Sequence, residues 1–243
     1  MAYKVKKYRS RITSDDLVSF RVRIRETDLL IRADQDLTEV ATNTVLRYRK
    51  FLEEYIQADP FFQATLEPYL DLPVTAPKIV QQMARAAAQV GIGPMAAVAG
   101  AISEFVGTKL LEHSSQIIVE NGGDIFLKTK APRLIGLYAG SSPFTHKVAL
   151  SVQPGDTPLG ICTSSGTVGH SLSYGQADAV VVTAQSALLA DAAATAIGNL
   201  VNEPEDFSKG IEFAKGISSL RGLVIIKNDQ MAVWGEIQLE KIN

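Results

Sequence analysis

Residues 179–201, with the sequence AVVVTAQSALLADAAATAIGNLV, carry the clearest structural signal in the chain. The continuous β-branched run at 179–183 predicts a buried strand. Ser186 is well placed to cap the alanine-rich helix that follows, which we expect to continue to about Val201. A buried strand that leads directly into an apolar helix indicates a layered domain of strands and helices.

Strands and helices mix irregularly on both sides of this stretch. Residues 18–25 alternate apolar and polar and predict a strand that forms a hairpin with 29–33 after a turn at 26–28. A second hairpin is predicted from 222–227 and 231–239. Further helices are predicted at about 36–58, 77–91, 94–111 and 205–218, and short strands at 116–119, 125–128, 133–138, 147–152 and 160–163. A proline-containing loop is predicted over 59–76, and Thr75 is a candidate cap for the helix at 77–91. Since strict βαβ order is absent, we expect an α/β (α+β-like) fold with a mixed, largely antiparallel sheet covered by helices.

Composition limits the class of protein. The chain has 243 residues, and no low-complexity linker divides them, so the sequence predicts a single domain over 1–243. The net charge of −2 argues against a nucleic-acid or membrane-surface partner. Neither a signal-peptide pattern nor an apolar run of about 20 residues is visible, which predicts a cytoplasmic location without a membrane span. Exposed edges on the two terminal hairpins would favour a homodimer.

Asp191 and Thr195 are the first candidate site residues. They are four residues apart on the predicted helix, so they share one helix face. A carboxylate and a hydroxyl at this spacing can both offer oxygen to a hard cation such as Mg²⁺. Alternatively, Asp191 only stabilises the dipole at the helix start, and the spacing taken alone favours this second interpretation.

Two glycine-containing stretches each have two interpretations. The run from Asn121 through Gly122 and Gly123 to Asp124 can bring backbone amides close to an anion, or can form a tight hairpin turn. Residues 91–94, Gly-Ile-Gly-Pro, can leave free amides at a helix start for phosphate, or can form a plain corner between helices. For the second stretch the corner is the stronger interpretation.

Residues 162–170, CTSSGTVGH, form a third candidate region. Its hydroxyl groups could hydrogen-bond a phosphate or a ring carbonyl. Cys162 or a serine could also pair with His170 as a nucleophile and base, although no G-x-S-x-G elbow is present. A buried structural cysteine is the favoured interpretation of Cys162, because free cysteines are usually buried.

Taken in order, these stretches resemble the ApbE superfamily, whose best-known members are FAD:protein FMN transferases. The shared pattern is a Gly-Ile-Gly segment before an alanine-rich helix, a GGD turn, a Thr-Ser-Gly loop and an AD-xxx-TA helix. An uncharacterised cytoplasmic branch of that superfamily is more similar still. The segments that carry this closer resemblance are LEPY at 66–69, APKIV at 76–80, GIGPM at 91–95, NGGDI at 121–125, CTSSGTVG at 162–169 and ADAAATA at 190–196.

The resemblance implies a mixed α/β fold that binds FAD or FMN together with Mg²⁺. Carried over by motif, the metal ligands would be Asp191, Thr195 and the Gly93 carbonyl. The implied partner is a small-molecule flavin or nucleotide. The residues implied for its binding are Gly93, Met95, Asn121, Gly122, Gly123, Asp124, Thr163, Ser165 and Gly166.

This chain departs from the transferase pattern at two positions. Pro94 and Ala99 stand where transferases typically have a lysine and an aspartate that contact the flavin nucleotide. The resemblance therefore favours a Mg²⁺-dependent enzyme that transfers or hydrolyses a flavin or pyrophosphate group over FMN transfer to a protein threonine. Two alternatives stay open, namely a non-catalytic flavin- or nucleotide-binding module and an oligomeric scaffold that retains the motifs as relics.

Overall fold

The computed structural model describes Ile12, residues 14–168 and residues 174–242. Its helices are α1 (Thr38–Ala58), α2 (Pro60–Ala64), α3 (Lys78–Gln89), α4 (Val98–Leu110), α5 (Ala187–Gly198) and α6 (Phe207–Lys215). Its strands are β1 (Val18–Ile24), β2 (Thr27–Ala33), β3 (Ile117–Asn121), β4 (Asp124–Lys128), β5 (Arg133–Gly136), β6 (Val148–Val152), β7 (Leu159–Ser164), β8 (Ala179–Ala184), β9 (Leu220–Lys227), β10 (Gln230–Gly235) and β11 (Leu239–Lys241). Short 3-10 helices span Pro94–Ala97, Pro154–Asp156 and Pro204–Asp206.

The strands form two sheets. The larger has eight strands in the order β1-β2-β3-β4-β7-β8-β9-β10, and the smaller has three in the order β11-β6-β5. Every strand pair within the described ranges is antiparallel. The predicted fold class is thus confirmed. The two predicted terminal hairpins are also confirmed, and they place β1 and β10 at the two edges of the larger sheet. The strand predicted over 231–239 ends at Gly235, however, and Leu239 begins β11 in the smaller sheet.

Two hydrophobic cores lie on the two faces of the larger sheet. One core joins that sheet to helices α1, α3, α4 and α5, with buried residues such as Ile31, Met83 and Leu188. The other joins it to the smaller sheet through residues such as Ile118 and Leu150. The molecule therefore has three layers, with helices outside one face of the eight-stranded sheet and the small sheet outside the other.

Strand β8 shows why residues 179–184 are uniformly apolar. All six residues of β8 are buried. Val180 and Val182 point into the helix-side core, whereas Ala179 and Val181 point into the core under the small sheet. Because successive side chains of a strand alternate between faces, a strand between two cores needs apolar residues at every position.

Several predicted boundaries are wrong. The sequence predicts a loop over 59–76, but Pro60–Ala64 forms α2, since proline fits the first helical turn and Phe62 is fully buried. Thr75 does not cap α3, which begins after Pro77 with no side-chain cap. The first hairpin turn is shorter than predicted because β2 already begins at Thr27. The predicted helices 186–201 and 205–218 are the shorter α5 and α6, with Pro204–Asp206 forming a separate 3-10 turn.

No single helix in the described part of the chain is both long and apolar enough to span a membrane. The pair Lys78–Gln89 and Pro94–Leu110 passes a test of length and composition, but it is bent by 104° at its break. The single-domain assignment of 1–243 stays a prediction.

Candidate functional site

Helices α4 and α5 cross at Gly100 of α4. A Cβ atom on Gly100 would lie 2.2 Å from the Ala187 carbonyl oxygen and 2.8 Å from the Cβ of Asp191. From the sheet below, Gly160 approaches the start of α5 equally closely, since its Cβ would lie 2.4 Å from the Ala187 Cα. Only residues without side chains allow the two helices and β7 to meet here.

Each of the two helices caps the other. Asp191 of α5 accepts a hydrogen bond at Oδ2 from the Gly100 amide, 2.8 Å away, in the first turn of α4. Glu104 of α4 accepts at Oε2 from the Ala187 amide (2.6 Å) and from the Ser186 hydroxyl (3.1 Å) at the start of α5. Ser186 also caps α5 as the sequence predicts, by accepting from Leu189 N. We call the Asp191 and Glu104 interactions the reciprocal caps. They satisfy amides that a helix start leaves without intrahelical partners.

A second acidic side chain lies beside the first. Asp124, at the start of β4, is 8% exposed, and its Oδ1 accepts a hydrogen bond of 3.3 Å from the Thr163 amide. We call Asp124, Asp191 and the adjacent thiol of Cys162 the carboxylate cluster. Within residues 14–168 and 174–242, neither carboxylate forms an ion pair with an arginine or lysine. Two carboxylates are thus held together without a cationic side chain.

Burial perturbs both carboxylates. It raises the pKa of Asp191 to about 7, although the amides of Gly100 and Ala99 pull that pKa down. Burial also raises the pKa of Asp124 well above its ordinary value, and the negative charge of Asp191 raises it further. Like charges in a desolvated place disfavour joint ionisation. A bound cation would relieve that repulsion and lower both pKa values.

The GGD stretch is a two-residue hairpin turn. Asn121 pairs with Asp124 across the β3–β4 hairpin, and Gly122 and Gly123 take φ values of 71° and 118°. Left-handed angles at both positions favour glycine, so the turn interpretation is confirmed. The Gly123 amide donates to Glu120 Oε1 at 2.9 Å. A ligand phosphate would therefore have to compete with a carboxylate for that amide.

Asn121 ties this hairpin to the helix layer. Its Nδ2 donates to the Ala99 carbonyl oxygen at 3.2 Å, which is the turn of α4 that Asp191 caps. The structure thus brings Asn121, Asp124 and Asp191 to one place, as the motif order implies.

The Thr-Ser-Gly loop is adjacent to the hairpin. A Cβ on Gly123 would lie 3.9 Å from the Thr163 carbonyl oxygen. Ser165 is engaged in its own turn, because its Oγ accepts from the amides of Thr167 (3.2 Å) and Val168 (2.9 Å). Gly166 donates its amide to the Ala177 carbonyl at 2.9 Å. Thr163 therefore lies next to Asp124, whereas Ser165 and Gly166 shape the loop that follows.

Gly93 and Met95 lie at the corner before α4. Gly93 is buried, its carbonyl accepts from the Ala96 amide at 3.2 Å, and a Cβ there would lie 2.1 Å from the Thr65 carbonyl. Pro94 begins a 3-10 helix that packs against α5, and Met95 is partly buried against the helix-side core. The corner interpretation of 91–94 is confirmed. The Gly93 carbonyl stays a predicted metal ligand.

Cys162 is a buried thiol. Its Sγ lies 3.3 Å from the Ala187 carbonyl oxygen, to which it donates. Burial raises the pKa of the thiol well above its ordinary value, and the charges of Asp124 and Asp191 raise it further. Because the thiolate is the nucleophile, these surroundings suit a structural cysteine, as predicted. His170 lies outside the described residues.

The oxygen atoms of this region could supply only part of the coordination shell of Mg²⁺. The part of the chain that the structure describes contains no group of three or more His, Cys, Asp or Glu side chains that could hold a metal. Mg²⁺ commonly takes one or two carboxylates and completes its shell with water and substrate phosphates. Asp191 has lone pairs besides those used by the amides of Gly100 and Ala99, and Thr195 follows one turn later on α5 with a partly exposed side chain. Oxygen donors of this kind suit Mg²⁺ rather than a thiophilic or imidazole-binding metal.

Comparison with known proteins places the chain. The family model described as AbpE bacteria matches residues 9–213. The chain belongs to this family. Relatives of this AbpE bacteria member include a UPF0280 protein from Methanocella arvoryzae, 43% identical over 218 residues that cover 89% of this chain and 88% of the relative. A UPF0280 protein from Methanothrix thermoacetophila is 43% identical over 210 residues, which cover 86% of this chain and 87% of the relative.

The AbpE bacteria fold is also seen in a crystal structure. The flavinyl transferase ApbE of Pseudomonas stutzeri, in its apo form, superposes with a TM-score of 0.56 over 90% of this chain and 94% of the other. The sequence identity is 13%, so the similarity shows the fold alone. The resemblance to an ApbE-like superfamily is thereby confirmed.

Two carboxylates of this region escape sequence reasoning. Glu104 caps a helix that begins 83 residues later, and Glu120 accepts the Gly123 amide from a buried position. For Glu120, its place three residues before Gly123 in a glycine turn is a usable signal. For Glu104 no local signal exists, because its partner is distant in sequence.

Proposed function

We propose that this AbpE bacteria member is a Mg²⁺-dependent enzyme that acts on the pyrophosphate of a flavin or another nucleotide, by transfer or hydrolysis. The single observation that supports the proposal is the carboxylate cluster. Asp124 and Asp191 lie together, and both have raised pKa values. Neither carboxylate forms an ion pair with an arginine or lysine among the described residues. A divalent cation would balance their charges.

The surrounding residues suit a phosphate-bearing ligand held through that cation. Asp191 and Thr195 would hold Mg²⁺, with the Gly93 carbonyl as a further donor. The nearby carboxylate of Asp124 would add a second negative charge to balance the cation. Bound Mg²⁺ would offset negative charge that develops on phosphate oxygens. Asn121 holds the hairpin against α4 and so keeps Asp124 in place.

A second candidate function is a binding module that keeps the ligand intact. Pro94 and Ala99 favour it, since they replace the lysine and aspartate of the transferase pattern. Pro94 is buried and offers no donor, and the Ala99 carbonyl is occupied by Asn121. Neither position could contact a flavin phosphate through a charged side chain.

The test is Mg²⁺-dependent flavin binding, measured at pH 8 by calorimetry and flavin fluorescence with FAD and FMN. We expect Asp191→Asn to weaken Mg²⁺-dependent binding by at least about 100-fold, because even the partners of metal ligands contribute about 10- to 100-fold. Asparagine can still accept the Gly100 amide, so the helix cap is retained. Asp229→Asn, at an exposed turn, is the matched control. Equal binding by folded Asp191→Asn and wild-type protein would refute the proposal.

Two further measurements extend this test. Chromatography of the flavin after long incubation with Mg²⁺ distinguishes an enzyme, which yields a cleaved or transferred product, from a module, which returns intact ligand. Titration of Mg²⁺ affinity against pH tests the site itself. Because protons compete for a carboxylate whose pKa is about 7, affinity should fall as pH drops below 7. A cytoplasmic location and a homodimer remain part of the proposal.

A further inference from the structure

A surface groove of about 760 Å³ lies where α5 begins. Four parts of the fold surround it, namely α3, α4, the β8–α5 junction and the connection from α6 to β9. Its polar lining includes Gln82, Arg85, Gln185, Ser218, Ser219 and Arg221. We call this surface the two-arginine groove. None of the residues predicted for the flavin or metal site lines it.

The charge of the groove comes from Arg85 and Arg221. Arg85 is exposed on α3, and within the described residues its guanidinium forms no ion pair or hydrogen bond. Arg221 at the start of β9 donates one Nη1 hydrogen bond of 2.7 Å to the Asp156 carbonyl. A carbonyl leaves the positive charge of Arg221 without an ionic partner. Two arginines thus line the groove, and the guanidinium of each has donors to spare.

The acidic residue of the groove does not cancel this charge. Glu104 lines the floor, but its carboxylate faces the start of α5, where it accepts from Ala187 N and the Ser186 hydroxyl. The positive end of the helix dipole therefore balances it. For the same reason the amides at the helix start are occupied, and the arginines are the groups that an anion would meet.

The remaining lining suits a small molecule. The side chains of Leu188 and Leu189 are buried under the groove and offer an apolar floor. Amide and hydroxyl groups of Gln82, Gln185, Ser218 and Ser219 surround that floor, and none of them is committed to a hydrogen bond within the described chain. A volume between about 300 and 1,000 Å³ is usual for small-ligand sites.

We propose that the two-arginine groove binds a small oxyanion, with Arg85 and Arg221 as its ionic anchors. Guanidinium groups match the planar geometry of carboxylate and phosphate oxygens, so both a phosphate ester and a polycarboxylate carry the required chemistry. The groove is a site separate from the carboxylate cluster, and its binding requires no metal.

Calorimetry at low ionic strength tests this site, with protein freed of divalent metal on a chelating resin and with inorganic pyrophosphate and citrate as probes. We expect wild-type protein to bind at least one of them, with preference for pyrophosphate indicating a phosphate ligand and preference for citrate a carboxylate ligand. Arg85→Gln and Arg221→Gln should each weaken binding about tenfold, as expected for loss of one charge-assisted interaction. Binding should also weaken as salt is added.

Lys78→Gln is the matched control, because it removes one positive charge from the same helix outside the groove. Arg85→Gln carries the most weight, since among the described residues the Arg85 guanidinium forms no hydrogen bond or ion pair that the substitution would remove. Absence of binding by wild-type protein, or equal weakening in Lys78→Gln and Arg85→Gln, would overturn the proposal. Asp191→Asn should bind the anions like wild-type protein, so the groove and the Mg²⁺ site can fail independently.

Discussion

The carboxylate cluster and the two-arginine groove lie at the starts of two helices that cap each other. At the start of α4, Asp191 accepts a hydrogen bond from the Gly100 amide and lies beside a second carboxylate, Asp124. At the start of α5, Glu104 accepts a hydrogen bond from the Ala187 amide and lines the same groove as two arginines. The same capping geometry thus produces two surroundings of opposite charge. What differs is the set of side chains that neighbouring elements contribute, and this set determines whether a cation or an anion suits each place.

The largest effect should come from breaking the helix crossing that both regions share. Gly100→Val would place side-chain atoms against the Ala187 carbonyl, and we expect a loss of about 3 kcal/mol or more in the free energy of unfolding. Urea denaturation measures this loss. Gly155→Ala is the control, since a Cβ added at Gly155 would meet no atom within 4 Å. A Gly100→Val protein as stable as Gly155→Ala would show that the helices do not meet as described.

A pH series separates the two regions by charge. The folded state raises the pKa of Asp191 from 3.8 to about 7, so it binds an extra proton between those values, and metal-free stability should fall as pH rises from 4 to 7. Asp191→Asn lacks this titration. Relative to wild-type protein it should gain about 1–3 kcal/mol by pH 7.5 and nothing at pH 4, as measured by denaturation. A difference that is independent of pH would contradict the raised pKa.

Removing the other cap, Glu104, should have a smaller effect on stability. Glu104→Ala deletes the acceptor for the Ala187 amide, and we expect a loss of about 1 kcal/mol, typical for a helix cap. Thermal denaturation at neutral pH measures it. Glu104→Gln retains an acceptor oxygen and should recover most of the loss. If glutamine were as damaging as alanine, the charge of Glu104, rather than its hydrogen bonds, would be the stabilising feature.

The smallest effect on stability is expected in the groove. Arg85 is exposed and its guanidinium forms no ion pair or hydrogen bond among the described residues, so Arg85→Gln should change the free energy of unfolding by less than about 0.5 kcal/mol. Denaturation beside the Lys78→Gln control measures this. A larger loss would mean that Arg85 supports the fold, which would remove the contrast between an embedded acidic site and an open basic one.

Local patterns predict most of the fold. The β-branched run at 179–183, the Ser186 cap and the alternation in 18–25 each specify one element through its own residues, and each element is present. The wrong predictions come from local patterns that favour a different structure. Three prolines in 59–76 indicate a loop, but Pro60 begins a helix because its missing amide is harmless in a first turn. Thr75 resembles a cap, but the chain enters α3 through Pro77.

The candidate site is only partly accessible from sequence. The spacing of Asp191 and Thr195 follows from helix geometry, and the motif order indicates that Asn121 and Asp124 belong with them. The reciprocal caps could not be predicted, because each joins residues more than 80 positions apart. The two-arginine groove escapes for the same reason, since Arg85 on α3 and Arg221 at the start of β9 share no motif and line one groove only in the folded chain.

The position of β8 between two cores has a consequence for hydrogen–deuterium exchange. Its amides are bonded to β7 and β9 and covered on both faces, so they should exchange only when the whole molecule opens. Helix α5 follows β8 after two residues and contributes to both charged regions. Ligands at either place would therefore meet a preformed surface on the slowest-exchanging part of the chain, and their binding should slow exchange in β8 through global stability rather than through closure of a local flap.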